Sequence, residues 1–353
     1  MLYDELIAPL LFLQDPERAH ERVLVALQHL PSPPAWLPQP SLPTRFLRRE
    51  LLNPIGLAAG LDKNASCLGA WSWLGFGLVE VGTLVPQPQA GNSKPRLFRL
   101  PEAKALINAM GFNSLGVDVA RQHLLAGPSP ATLLLNIGKN ATTPIAAADQ
   151  DLCAVIAALK GLGHGFVMNV SSPNTAQLRE LQAPQPIRAL VEACVREAQG
   201  TPVLVKMTAD LPPSDLDASV DAALQGGAAG LILSNTTVAR PLEIQGHPHA
   251  VRGGGLSGAP LKEAATRAIA QAYRHTRGRV PLVGVGGIAT PQDVWEKMAA
   301  GADVVQIYTA LIYQGPLLPR RLVAGLRVLM EIQGMKDVSQ IAGCGLAVPA
   351  ALN

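Results

Sequence analysis

From about residue 45 onward, short runs of consecutive apolar residues alternate with longer Ala- and Leu-rich stretches, the pattern that βα units require. The runs cover 55–59, 78–82, 132–138, 166–170, 203–207, 230–235, 282–286 and 303–308. Many are apolar without alternation, as parallel strands covered on both faces are. Eight such units predict an α/β fold, a (β/α)8 TIM barrel, whose active site lies at the carboxyl ends of the strands. Two inter-strand segments, 85–131 and 238–281, are too long for one helix, and long excursions on a barrel predict lids or binding elements.

Ahead of the barrel, residues 1–30 read as two short helices parted at Asp15-Pro16, with Asp15 as N-cap and Pro16 at the first helical position. In the second, Ala19, Val23, Ala26, Leu27 and Leu30 form an apolar face, with Glu17, Arg18, Glu21, Arg22 and Gln28 on the other. The first is apolar over more of its circumference than one short partner helix covers. Six prolines between Pro31 and Pro43 make a stiff connector that cannot continue a helix. The expected division is a helical pair and connector over 1–43, a barrel over 44–335 and a C-terminal tail over 336–353.

Composition narrows the function classes. Of 353 residues, 48% are apolar and 16% charged, which excludes disorder over most of the length. A net charge of +3 and only 4% aromatic residues carry no nucleic-acid footprint, so no such partner is expected. The cysteines Cys67, Cys153, Cys194 and Cys344 are far apart, with no CxxC pair and no histidine at zinc spacing; a reducing compartment and no metal site are expected. The longest stretch without Asp, Glu, Lys, Arg or His, 222–239, is too polar to span a bilayer. The N-terminus shows neither a secretory signal nor an Arg- and Ser-rich transit segment.

The strand ends carry the candidate chemistry. Polar residues gathered at one end of otherwise apolar strands are hard to explain by folding alone. Lys63 and Lys206 stand at such ends, where an unpaired ammonium is costly. A surface salt bridge is the plain alternative to two fixed charges facing an anionic substrate and a reduced flavin, which needs positive charge near N1. Asn108, Asn136, Asn169, Asn174 and Asn235 supply donors and acceptors matching the alternating C=O and N–H edge of a pyrimidine-like ring, although single asparagines usually serve turns. Ser172, in Asn169-Val-Ser-Ser-Pro-Asn174, is the candidate base, against a plain turn serine before proline. Gly284-Val-Gly286-Gly287 falls at the seventh strand end, where backbone N–H groups commonly cradle phosphate, against the plain alternative of ordinary glycine turns.

Ala58-Ala-Gly-Leu-Asp-Lys63, Glu80-Val-Gly-Thr83, Lys94-Pro-Arg-Leu-Phe-Arg99, Asn108-Ala-Met-Gly-Phe112, Asn136-Ile-Gly-Lys139, the Asn169–Asn174 segment, Gly254-Gly-Leu-Ser-Gly258 and Val285-Gly-Gly-Ile288 occur in the order seen in dihydroorotate dehydrogenases. The chain resembles that family from about residue 1 to 335, and within it the class 2, membrane-associated, quinone-reducing branch. Serine at 172, where class 1 enzymes carry cysteine, and Asp15-Pro-Glu-Arg-Ala-His20 mark the branch. The resemblance implies oxidation of dihydroorotate to orotate in pyrimidine (UMP) biosynthesis, with electrons passing through FMN to a membrane quinone.

By the resemblance, FMN contacts Ala59, Gly60, Leu61, Asp62, Lys63, Thr83, Asn136, Asn169, Lys206, Ser234, Gly258, Gly287, Tyr308 and Thr309. Dihydroorotate contacts Lys63, Asn108, Ala109, Met110, Gly111, Phe112, Asn169, Asn174, Asn235 and Thr236, with Ser172 as catalytic base. His20, Arg99 and Tyr308 match quinone-tunnel positions. The N-terminal helices would then be a small membrane-associating domain on a monomeric peripheral protein at the cytoplasmic face of a bacterial inner membrane. Three departures stand out: Ala176-Gln177 where the family has Pro-Gly, Ser234 for threonine, and Ser114 for asparagine. The alternatives are a soluble class 1-like flavin oxidase of dihydroorotate with another electron acceptor, and a non-catalytic membrane-bound barrel.

Overall fold

The structure, a computed structural model, describes residues 3–30, 39–127 and 132–346. Its strands are β1 (Thr44–Phe46), β2 (Arg49–Leu51), β3 (Ile55–Leu57), β4 (Leu78–Leu84), β5 (Leu97–Leu100), β6 (Ala105–Asn108), β7 (Leu133–Ile137), β8 (Gly165–Asn169), β9 (Val203–Met207), β10 (Gly230–Leu233), β11 (Gly255–Gly258), β12 (Leu282–Val285) and β13 (Val304–Ile307). The α-helices are α1 (Ala8–Phe12), α2 (Pro16–Gln28), α3 (Leu68–Leu74), α4 (Val117–Ala126), α5 (Ala148–Leu159), α6 (Pro184–Ala198), α7 (Pro213–Gln225), α8 (Leu242–Gln245), α9 (Lys262–Thr276), α10 (Pro291–Ala299), α11 (Thr309–Gln314) and α12 (Leu318–Ile332).

The eight expected runs are the eight barrel strands, to within two residues at each end, and they close in the order β3-β4-β7-β8-β9-β10-β12-β13. The runs read as continuously apolar because both faces are buried. Leu78, Leu134, Val167, Leu204, Ile232, Val283 and Val304 fill the interior, and Phe46 and Leu51 of the β1–β2 hairpin join them. Their neighbours in sequence, such as Val79, Leu133, Leu135, Phe166, Val203 and Leu231, pack outward with helix residues including Ile156, Val191 and Val220.

Parity then positions the site. Two residues beyond the interior Leu78, Leu134, Val167, Leu204, Ile232 and Val304, the strands present Glu80, Asn136, Asn169, Lys206, Ser234 and Gln306. A hydrophobic layer is thus topped by a polar one.

The two long excursions meet. The segment after β4 supplies β5 and β6, the segment after β10 supplies β11, and these pair as an antiparallel sheet in the order β11-β6-β5. Sequence reading anticipated a lid or binding element in each segment, and tertiary pairing joins the two segments in one sheet.

Asp15 caps α2 as expected, accepting from the Glu17 and Arg18 amides at 3.1 and 3.0 Å. The buried side of α2 differs from the expected one. Glu17 is 5% exposed and Leu24 and Leu27 pack on the core, whereas Val23, Ala26 and Leu30 face outward. Arg96, entering β5, is the reason: it takes both Glu17 carboxylate oxygens, at 2.7 and 3.2 Å. Most of the proline connector, 31–38, lies outside the described residues. The C-terminal boundary at 335 is not a break: Val338 and Ile341 are buried, and Gly343 and Gly345 donate to the Met298 and Ala299 carbonyls at 3.0 and 3.1 Å.

Candidate active site

A cavity of about 470 Å³ opens at the carboxyl end of the barrel, walled by the strand ends and the β11-β6-β5 sheet. Its polar wall is a closed circuit of side chains. The Lys206 ammonium lies 3.3 Å from the fully buried Glu80 carboxylate. Asn136 Nδ2 donates to Glu80 at 2.6 Å, and Thr83 donates to Asn136 Oδ1 at 2.6 Å. Asn169 Nδ2 donates to the Thr83 hydroxyl at 2.9 Å, and Asn235 Nδ2 donates to Asn169 Oδ1 at 3.0 Å and to Ser171 Oγ at 2.9 Å. Ser171 closes the circuit by donating to the Lys206 carbonyl at 2.6 Å. Thr83 reaches this circuit through a register shift between Val81 and Leu84, which inserts one residue relative to β7.

Ser172 lines the cavity at 6% exposure, and its Oγ accepts the Asn174 amide at 3.2 Å. Asn174 Nδ2 donates to Asn108 Oδ1 at 2.9 Å. The other amide oxygen, Asn174 Oδ1, is buried without a partner, as are both amide atoms of Gln306, which also lines the cavity. Unsatisfied buried amides lining one cavity suit a ligand that brings its own donors and acceptors. Lys63 faces the same space, and burial, with Arg96 adding to the effect against Glu17, pushes its ammonium down to about 8. At neutral pH it is largely cationic. At the far end the cavity passes Tyr308 to Leu97, Leu106 and Tyr313, and Tyr313 packs edge-on against Phe12 of α1 at 5.5 Å.

Most expected flavin contacts meet here: Ala59, Gly60, Lys63, Thr83, Asn169, Lys206, Ser234, Gly258, Gly287, Tyr308 and Thr309 all line the cavity. Three do not. Asp62 accepts from the Ser66 and Cys67 amides and the Trp71 indole, at 2.8, 2.9 and 3.0 Å, so its carboxylate builds the turn into α3. Leu61 is packed in the core, and Asn136 stands behind Thr83 as a strut. Among the expected substrate contacts, Lys63, Asn108, Met110, Gly111, Phe112, Asn169, Asn174, Asn235 and Thr236 line the cavity; Ala109 instead bonds Arg96 and Asn92 through its backbone.

The tunnel set separates. Only Tyr308 lies on the main cavity. His20 borders a second one of about 310 Å³, where burial and then Lys63 push its imidazole down to about 3. Arg99 donates to the Leu11, Phe12 and Gln14 carbonyls at 3.3, 3.4 and 2.9 Å, binding the end of α1 to the sheet.

Sequence reading missed Glu80 and Gln306 as site residues, though their parity with the apolar interior carried the signal. It also missed Arg179, which donates to the Ser171 and Thr236 carbonyls at 3.0 Å each and pairs with Asp210 at 2.7 Å. Arg179 anchors the segment after Ser172, where Ala176-Gln177 replace Pro-Gly and Gln177 takes a left-handed φ of 55°. Ser234 donates to the Asn235 carbonyl at 2.9 Å, and Ser114 accepts the Gly116 amide at 3.1 Å, so both departures keep structural work.

A closed parallel barrel with a buried ion pair, an amide circuit and two cationic side chains converging at its carboxyl end is a barrel enzyme site for a polar, anion-bearing ligand. The dihydroorotate dehydrogenase family model matches residues 41–330, and the chain belongs to that family. A dihydroorotate dehydrogenase (quinone) of Deinococcus radiodurans is 44% identical over 96% of this chain and 99% of the relative. One of Gloeobacter violaceus is 42% identical over 97% and 99%. The solved structure of DHODH from Eimeria tenella in complex with ferulenol superposes with a TM-score of 0.88 at 34% identity, covering 94% of this chain and 96% of that one.

Proposed function

We propose that this chain oxidises dihydroorotate to orotate in pyrimidine biosynthesis, with FMN as its flavin and a quinone as electron acceptor. The observation that carries the reading is the circuit from Lys206 and Glu80 to Asn235 and Ser171, with Ser172 and the unsatisfied Asn174 and Gln306 amides beside it. The residues fit a flavin: the unpartnered Gln306 amide would pair with a ring edge of C=O and N–H groups, and Gly286 and Gly287 would offer a phosphate turn. Glycine at 287 is obligatory, since φ is +72° and a Cβ would stand 2.5 Å from Lys262. Bound FMN supplies the hydride-accepting ring shared by both half-reactions.

The chain's own residues do the rest. Ser172 Oγ takes the proton from C5 of dihydroorotate, and the Asn174 amide stabilises the oxygen as its proton leaves. Lys63 binds the substrate carboxylate, and Asn174 Oδ1 accepts a ring N–H. Lys206, fixed by Glu80, provides positive charge where the ring becomes electron-rich. The contact roles belong to the cavity-lining residues of the expected set, with Asp62, Leu61, Asn136 and Ala109 as their support.

Quinone reaches the cavity past Tyr313 and Tyr308, under α1 and α2, while Arg99 holds α1 in place. Leu6, Ile7, Leu10, Leu13, Val23, Val25 and Leu30 are exposed on this pair, and among the described residues no helix is long and apolar enough to cross a membrane. These exposed residues support attachment of the helical pair to the surface of a bacterial inner membrane, and the chain is read as a monomer. The test is anaerobic titration: dihydroorotate bleaches the yellow protein and a quinone analogue restores the colour. Reoxidation by fumarate or NAD but not quinone overturns the acceptor, and absence of bleaching overturns the enzyme.

A further inference from the structure

Lys297 of α10 is fully buried and lines neither of the two cavities. Its ammonium donates to the Lys262 carbonyl at 2.6 Å and to the Thr266 hydroxyl, both in the first turns of α9. Among the described residues no carboxylate lies within ion-pair distance of it; the nearby Asp293 and Glu296 are taken by the Lys262 ammonium at 2.5 and 2.8 Å. An ammonium held only by neutral acceptors in a protein interior is expensive, and an apolar side chain of the same length would be the cheaper filling. Burial, reinforced by Lys262, pushes this one down to about 7.

Its placement suggests what offsets that cost. The Lys297 stem starts against Gly284 of β12, whose Cβ would stand 3.4 Å from that of Lys297. Its tip grips Lys262, and the Lys262 backbone backs directly onto Gly287. Lys297 therefore spans the outer side of the turn whose inner side, at Gly286 and Gly287, faces the cavity.

We propose that Lys297 is a positioning residue for the phosphate end of the flavin: it fixes the first turn of α9 behind Gly286 and Gly287, and its buried charge complements the phosphate across that turn. This rests on the flavin reading above. The test follows flavin release by fluorescence when full-length holoenzyme is diluted, once with FMN and once after exchange into excess riboflavin, which lacks the phosphate. Wild type should hold FMN much more tightly than riboflavin. Lys297→Met should weaken FMN binding about tenfold or more and riboflavin binding less than about twofold. Thr266→Val, which keeps the charge but removes one acceptor, should move the ratio the same way by about threefold, and it carries the test if the Met variant does not fold. Equal weakening of both flavins, or an unchanged ratio, overturns the proposal while leaving the flavin reading intact. Wild type that binds no flavin overturns the flavin reading itself, and wild type that binds riboflavin as tightly as FMN overturns the phosphate site this proposal needs.

Discussion

The barrel mouth and the N-terminal helical pair are built on opposite terms. At the mouth, the polar side chains from Lys206 through Glu80 and the amides to Ser171 satisfy one another in a closed circuit, while among the described cavity-lining residues the buried amide atoms of Asn174 (Oδ1) and Gln306 stay without a partner. The helical pair turns much of its apolar surface outward, and polar struts hold it: Glu17 with Arg96, and Arg99 with the α1 carbonyls. A site that must stabilise developing charge needs its dipoles fixed beforehand. A surface that receives an apolar guest needs its apolar groups left open, at some cost in water.

The largest expected effect probes the closure of the mouth. Glu80→Leu leaves the Lys206 ammonium buried and unpaired, which should cost about 3–5 kcal/mol in denaturant unfolding and release the flavin. Unchanged stability would mean that Lys206 needs no counter-charge. Next, Ser172→Ala should slow flavin reduction by dihydroorotate about 10²-fold or more with full FMN occupancy; near wild-type single-turnover rates would remove Ser172 as the base.

On the other side of the comparison, Arg96→Leu removes the bidentate partner of Glu17 but leaves Lys94, 3.3 Å away. The expected loss is about 1–2 kcal/mol, read as faster hydrogen exchange in α2 and slower reoxidation by long-chain quinone, with flavin reduction by dihydroorotate preserved. Equal losses in both half-reactions would show that the helical pair supports the mouth as well.

The smallest effect is a pH dependence. Burial pushes the Glu17 carboxyl up, but Arg96 and Lys94 outweigh it and hold the group below its ordinary 4.5. A depressed folded value contributes docking stability that is complete above the unfolded value and lost as pH falls through the folded one. Exchange in α2 should therefore accelerate below about pH 4.5 before exchange in the barrel strands does. Simultaneous loss in both would assign acid sensitivity to the barrel instead.

Much of this was legible beforehand, because it is local. Each barrel strand is a run of apolar residues that must be covered on both faces, and the Asp15 carboxylate caps a helix by accepting from amides two and three residues further on. The face of α2 was not legible. Apolar periodicity favours Ala19, Val23, Ala26, Leu27 and Leu30, yet the charge of Arg96, 79 residues away from Glu17, turns the helix and leaves Val23, Ala26 and Leu30 outward. Asp62 looked like part of the site because its neighbours Gly60 and Lys63 are; its carboxylate points the other way, into the α3 turn.

The sequence by itself determined the eight strands, the polar band at their ends and the candidate residues Lys63, Ser172, Lys206 and Asn174, since a two-residue period and the cost of burying polar groups act on neighbours along the chain. Tertiary structure alone decided which of those groups satisfy each other and which remain free for a ligand. Glu80 finds Lys206 across 126 residues, and Ser171 returns the circuit to Lys206 across 35. Barrel closure sets those distances, and no local pattern encodes them.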